Sequence, residues 1–385
     1  MALGRAARRN PGDNLKEFFE SLLRILEAGE RAAVSSVIAR SGSVPAPANA
    51  KLLVRADGTL GGTVGGGALE GDVHYAARKA LESGRPVIQQ FDFWNEASAG
   101  NLQICGGKIT LYTEVVQPLP EEIALFCALV DSLASCRSAA LATAVIAEGA
   151  SPAPGNVHLL FDREGLRAGG FGRESWNRAV IAAALPYFDG EDPLFIEPED
   201  LPAAESGLEG FLVEFIHPAP VLVVFGGGHV GLALYRLALF CGFRVIVVDD
   251  RPEFASAERF PQAETTLCSP YPESFGKLTV GPRHYLVSVT RCHNTDRQVI
   301  EKAVRTPAAY LGMIGSRRKV KLLWEELEKK GIDRSLLDKI RAPVGLPIGA
   351  ETPEEIALSI MAQIIGERRS RKPAVTRLKI LLRRD

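Results

Sequence analysis

Two stretches of this chain place bare backbone or reactive side chains where a helix begins, the position at which unpaired amide groups can meet an anion. In DGTLGGTVGGGALEG, seven glycines fall from Gly58 to Gly71, with Gly65, Gly66 and Gly67 in a row and Glu70 close behind. Such a run costs chain entropy, so some backbone requirement keeps it. The requirement is either approach of an anion or cofactor to the helix start or a tight strand-to-helix crossing. Glu70 in the first turn suits the positive helix end, which explains it without a catalytic role. Farther on, QICGGKITLY carries Cys105 ahead of a strand. With Gly106 and Gly107 beside it, a thiolate there is open to a ligand and is a soft donor suited to molybdenum or persulfide sulfur. The competing reading is a small buried residue.

The second stretch is VLVVF followed by GGGHVG, in which Gly226, Gly228 and Gly231 surround His229. A buried-type strand, this glycine spacing and a following helix form the dinucleotide fingerprint. The first glycine permits the turn, the second admits a pyrophosphate and the third lets helix and strand pack closely. Asp249 ends the next strand 23 positions after Gly226, where a ribose-binding acid stands. It favours NAD, while Arg251 keeps NADP open. After a later strand, TRCHNTD offers Thr290, Arg291, His293 and Asp296 at the carboxyl edge of the sheet. His293 and Asp296 suit proton transfer, a metal, or simply a capped helix start. In GMIGSRRKV, Gly315 and Ser316 open a helix with Arg317 and Arg318, either an anion site or a solvated basic turn. Thr352, Pro353 and Glu355 form a structural capping box.

These groups need elements to hold them. An amphipathic helix is expected from Leu15 to Leu26, with Asn14 and Glu17 as its capping box. A β-rich stretch follows, with a hairpin turn at Asp57-Gly58, then helices over 120–135 and around ESWNRAVIAAAL. No internal repeat is visible. From Pro220 strands and helices alternate regularly, which implies a parallel sheet covered on both faces. The expected fold is α/β: a mixed α+β domain over 1–200, a linker or connecting segment over 201–217, and a Rossmann-like doubly wound domain over 218–385.

With 45 basic and 46 acidic side chains, the chain carries no charge excess that would draw it to nucleic acid or an anionic membrane. It shows neither the apolar run of a secretory signal nor a spanning segment. The six cysteines include no CxxC pair, which argues against a zinc site or a disulfide framework and for a reducing cytoplasm.

Taken in order, the segments GSVPAPANAKLLVRADGTLGGTVGGGALE, QICGGKITLY, VVFGGGHVGLAL, VVDDRPEFA, VTRCHNTD, YLGMIGSRRKV and PVGLPIGAETPEEIALSIMAQI span most of the chain. Together they resemble the XdhC/CoxI family of molybdenum-cofactor accessory proteins. The resemblance implies a chaperone rather than a turnover enzyme. Such a protein holds molybdenum cofactor as cargo, protects it during sulfuration and delivers it to a molybdenum hydroxylase of the xanthine dehydrogenase type. It further implies a homodimer, with a cysteine desulfurase as sulfur source. The ligand surfaces it implies are Gly65, Gly66 and Gly67 with Glu70, and Cys105 with Gly106 and Gly107, Cys105 being a candidate ligand to the molybdenum. Two positions depart from the family pattern: Ala68 stands where a cysteine is frequent, and Ala46 follows Pro45 where arginine is frequent. An NAD(P)-dependent oxidoreductase and a nucleotide-sensing regulator are the other functions a Rossmann domain allows.

Overall fold

The computed structural model describes residues 11–44, 46–47, 49–93, 106–147, 150, 157–200 and 207–370. Pro45, Cys105 and the segments 201–206 and 371–385 lie outside the described residues. Two compact units divide the chain, one over Asn14–Pro218 and the other over Ala219–Arg371. Among the described residues no helix is long and apolar enough to cross a membrane.

The first unit begins with α1 (Pro11–Glu27), β1 (Ala32–Gly42), β2 (Lys51–Arg55), β3 (Leu60–Thr63), α2 (Ala68–Ser83), β4 (Val87–Asp92) and β5 (Gly107–Val116). It continues with α3 (Pro120–Ala134), β6 (Ala139–Ile146), β7 (His158–Asp162), β8 (Gly165–Gly169), α4 (Glu174–Ala184), β9 (Leu194–Ile196) and β10 (Leu208–Ile216). Helix α1 starts at Pro11, three residues before Asn14; proline suits a first helical position because its φ is already helical. Of the segment assigned as linker or connector, residues 208–216 are a strand whose last seven side chains are buried.

These fourteen elements are one pattern written twice, α-β-β-β-α-β-β. The two five-stranded sheets run β3-β2-β1-β5-β4 and β8-β7-β6-β10-β9, and every neighbouring pair is antiparallel. The duplication that the sequence conceals is thus plain in the topology. Registers match residue for residue: Ala32 faces Val116 as Ala139 faces Ile216, and Ser36 faces Lys51 as Thr143 faces His158. Val34 faces Glu114 and Leu141 faces Glu214 in the same way. Helix α2 covers the first sheet through Val73, Ala77 and Leu81, and α4 covers the second through Trp176, Val180 and Ala184. A shared core joins Phe19 and Leu22 of α1 and Phe126 of α3 to Val34, Leu53, Leu141 and Leu160 of both sheets.

Two buried ion pairs cross between the halves, and the topology makes them equivalents. Lys51 opens β2 and donates to Glu214 of β10 at 2.7 Å, and also to Ser36 Oγ at 2.7 Å. His158 opens β7 and meets Glu114 of β5 at 3.0 Å, with Glu122 of α3 on its other nitrogen at 2.7 Å. Each half therefore lends a cation to a carboxylate of the other.

The second unit is built on a parallel sheet whose strands are β11 (Val221–Phe225), β12 (Arg244–Asp249), β13 (Thr265–Cys268), β14 (His284–Ser288) and β15 (Tyr310–Met313). Their order, β13-β12-β11-β14-β15, is the doubly wound arrangement expected from the sequence. Helices α5 (His229–Phe240) and α10 (Pro353–Ser370) cover one face through Leu234, Ala238, Ile360 and Ile364. The other face carries α6 (Tyr271–Ser274), α7 (His293–Ala303), α8 (Arg317–Lys329) and α9 (Arg334–Leu337), packed through Val299, Leu323 and Leu337. Strand order reverses between β11 and β14, so a crevice opens beyond their carboxyl ends, where such sheets take ligands.

Candidate functional site

In the first unit the glycine loop joins β3 to α2. Gly65, Gly66 and Gly67 have φ of +123°, +81° and +66°, values that residues with a β-carbon adopt at a cost. Among the described residues, a Cβ on Gly66 or Gly67 would have no neighbour within 4 Å, which leaves open ground above the loop. Gly67 caps α2 without a side-chain bond. Glu70 reaches back to accept from Gly66 N at 3.2 Å and from the hydroxyl of Thr63. Its carboxylate braces the loop through these two bonds, a structural task that suits its place at the positive helix end.

Strand register sends three segments to one end of the first sheet. Thr63 faces Lys51, Lys51 faces Ser36, and beyond them Gly42 faces Gly107. The glycine loop, the 43–50 loop and the start of β5 all leave the sheet at that end. Gly107 lies close against neighbouring backbone there: a Cβ on it would stand 2.5 Å from Ser41 O and 2.7 Å from Ser43 O. Ser43 N donates to Gly106 O at 3.2 Å, and Gly107 itself is buried. Ala46 packs into the core with Val64 and Leu69 and is 2% exposed, so this site has no room for an arginine.

In the second unit the fingerprint glycines behave as their spacing requires. Gly226 has φ +113°, a Cβ on Gly231 would lie 1.9 Å from Gly226 O, and Gly228 faces open space. His229 is exposed at the start of α5. Asp249 departs from expectation. It is fully buried, and it accepts from Gly227 N at 2.8 Å and from Arg251 through N, Nε and Nη2 at 3.1, 2.9 and 3.0 Å. Burial alone would raise its pKa, but the Arg251 and Gly227 donors hold it below the usual carboxylate value.

At the carboxyl end of β14, Asp296 is fully buried and accepts from Ser288 Oγ at 2.8 Å, Thr290 Oγ1 at 2.7 Å and Lys319 Nζ at 2.6 Å. The Lys319 bond ties the start of α8 to the start of α7. Ser316 caps α8 by accepting from Lys319 N at 3.2 Å, and Arg317 and Arg318 are exposed. His293 lies 3.8 Å from Glu326, while the carboxylate of Asp296 is taken up by Ser288, Thr290 and Lys319. The described residues hold no group of three or more potential metal ligands.

Sequence reasoning passed over Cys292. Helix α7 starts at His293, which makes Cys292 its exposed N-cap. The signal was there in Cys-x-x-Thr at a helix start, a capping spacing. Hydrogen bonds from Thr295, side chain first and then backbone, hold the thiol below its ordinary pKa, with smaller help from Asn294 N and Arg291. Removing the hydroxyl with Thr295→Val is expected to slow alkylation of Cys292 by iodoacetamide at pH 7, followed by peptide mass spectrometry. An unchanged rate would mean that Thr295 does not set the thiolate fraction.

Residues 222–364 match the family described as the XdhC Rossmann domain, and residues 25–92 match the XdhC and CoxI family. The chain is 34% identical over 237 residues to the uncharacterized protein YqeB of Escherichia coli, an alignment covering 59% of this chain but 43% of that protein. It is 28% identical to a probable xanthine dehydrogenase subunit from Bacillus subtilis, covering 91% of this chain and 98% of the relative. The molybdenum cofactor insertion chaperone PaoD of Escherichia coli is 24% identical, with 92% and 89% covered. A solved structure of a xanthine dehydrogenase from Bacillus halodurans shares the fold with a TM-score of 0.68 at 24% identity, over 93% of this chain and 98% of that one.

Proposed function

Because the chain belongs to the XdhC and CoxI family, we propose that it is an accessory factor that binds molybdenum cofactor and supports its sulfuration and insertion into a molybdenum hydroxylase of the xanthine dehydrogenase type. The observation that carries this reading is the open glycine cradle. Three successive positive-φ glycines at the start of α2 leave unobstructed space above Gly66 and Gly67. Glu70 holds the Gly66 amide and Thr63 the Gly65 amide, and the later amides of the α2 start are the ones that suit the phosphate of a pterin cofactor. The relatives that align along nearly their full length support a role in maturation, one of them being named an insertion chaperone. The partners this reading calls for are the hydroxylase client, a cysteine desulfurase supplying sulfur and a second copy of the chain in a homodimer, all in the cytoplasm. Cys105 is the proposed thiolate near the metal end of the cargo.

Equilibrium binding of anaerobically prepared molybdenum cofactor tests the proposal. The native chain should bind it, and Gly66→Val, which strains the cradle and fills its open side, should weaken binding by about tenfold or more, roughly 1.4 kcal/mol. Cys105→Ser should lower sulfuration and transfer to an apo-hydroxylase while leaving the fold unchanged. Absence of binding to the native chain, or full binding by Gly66→Val, would remove the cradle as the cargo site.

A further inference from the structure

We propose that the Rossmann crevice of this chain selects a ligand bearing a phosphate monoester, with Arg259 as its counter-charge, and does not read a ribose hydroxyl through Asp249. An ionised carboxylate has about four acceptor positions. In Asp249 four N–H donors take them, one from Gly227 and three from Arg251, and no surface of the residue reaches solvent. A ribose hydroxyl could bind only by displacing a charged partner from a buried carboxylate, an exchange that loses more than it gains.

The same contacts close the glycine loop on that side. The Gly227 amide, which a bound pyrophosphate would otherwise meet, is committed to Asp249. A Cβ on Gly227 would fall 1.8 Å from the carbonyl oxygen of Phe254, so this carbonyl roofs the loop. The Arg251 guanidinium stands over the Phe254 ring, 3.6 Å from its centre. Asp249 is therefore a positioning residue: it fixes Arg251 and the loop and has no capacity left for a ligand.

The open side of the loop is different. Gly228 faces free space, and Arg259 stands at its rim. This half-buried guanidinium donates to Gly227 O at 2.9 Å and Gly228 O at 3.5 Å and rests near the rings of Phe254 and Phe260. Its neighbours Arg251 and Arg291 are neutralised by Asp249 and Asp250. Among the described residues no carboxylate pairs with Arg259, whose charge is answered only by carbonyl dipoles and ring faces. A cation held in this way beside an open glycine and a helix start matches a compact dianion. Phosphate monoesters of two sources have that chemistry, the 2′-phosphate of NADP and the terminal phosphate of molybdopterin.

Calorimetric titration of the intact chain with NADP, NAD and anaerobically prepared molybdopterin separates them. At least one of the two monoesters should bind about tenfold more tightly than NAD or better. Arg259→Gln should remove that preference and Arg259→Lys should keep part of it, with thermal unfolding checked to show that both variants fold. Whichever monoester binds identifies the source. NAD binding as tightly as either monoester, no binding by any probe, or affinities unchanged in Arg259→Gln would overturn the proposal. The chaperone reading fails separately: cargo binding that depends on Gly66 but not on Arg259 leaves it standing, and sinks this one only if NADP binding is also unchanged in Arg259→Gln.

Discussion

Replacing Lys51 by methionine should cost the first unit about 3–5 kcal/mol of stability at neutral pH, because it leaves the buried carboxylate of Glu214 without its cation. Both side chains are nearly inaccessible, 6% and 7% exposed, so solvent cannot take over the charge. Ser36, itself 4% exposed, loses its donor in the same change. The double variant Lys51→Met with Glu214→Leu should recover most of the loss, since two apolar side chains of similar volume desolvate at little cost. Denaturant unfolding of the first unit, compared across native, single and double variants, measures the coupling. A single-variant loss below about 1 kcal/mol, the range of exposed pairs, would show that water reaches this pair after all. The expected effect is large because the pair joins two halves of a duplicated unit: β2 belongs to one sheet and β10 to the other.

That duplication shows where sequence reading reaches its limit. The Rossmann unit was legible because VLVVF, a glycine turn and a helix lie next to each other along the chain, and local order is what a sequence displays. The repeat of the first unit is carried by positions far apart and unequally spaced. Lys51 precedes Glu114 by 63 residues, whereas His158 precedes Glu214 by 56, so no fixed period survives. The cation is lysine in one half and histidine in the other, and three glycines before α2 correspond to GGFGR before α4. In that second loop Asn177 accepts from Phe171 N and would sit 2.8 Å from a Cβ on Gly170, so it is closed where the first is open. Spacing also misled at single residues. Asp249 stands where a ribose acid belongs, yet Arg251 two residues later captures it. Gly107 reads as a gap beside a thiol, yet its missing side chain makes way for the backbone at Ser41 and Ser43. In each case the residue type was informative and its partner, set by tertiary packing, was not.

His158 should remain protonated in the folded protein at pH 8, where a free imidazole is mostly neutral. Burial by itself pushes the imidazole down, but the charge of Glu114 and then that of Glu122 override it, and the folded value lies well above the ordinary one. Nδ1 is hydrogen-bonded to Glu122 at 2.7 Å, and Nε2 lies 3.0 Å from Glu114 as an ion-pair contact. The Phe126 ring, edge-on at 5.4 Å, closes the site from the core side. Tyr112 stays a neutral phenol beside the same carboxylate, its pKa raised by burial and by Glu114. A folded-state pKa above the unfolded value adds stability that is complete below about pH 6.5 and is lost as pH rises through the folded value. The first unit should accordingly weaken on the alkaline side. His158→Leu removes the cation from between two carboxylates and should cost about 3–5 kcal/mol near neutrality. Long-range proton–nitrogen NMR on the imidazole and unfolding at pH 5 and pH 8 read the two effects separately. A neutral ring at pH 8 would mean that the carboxylates around His158 do not hold its proton.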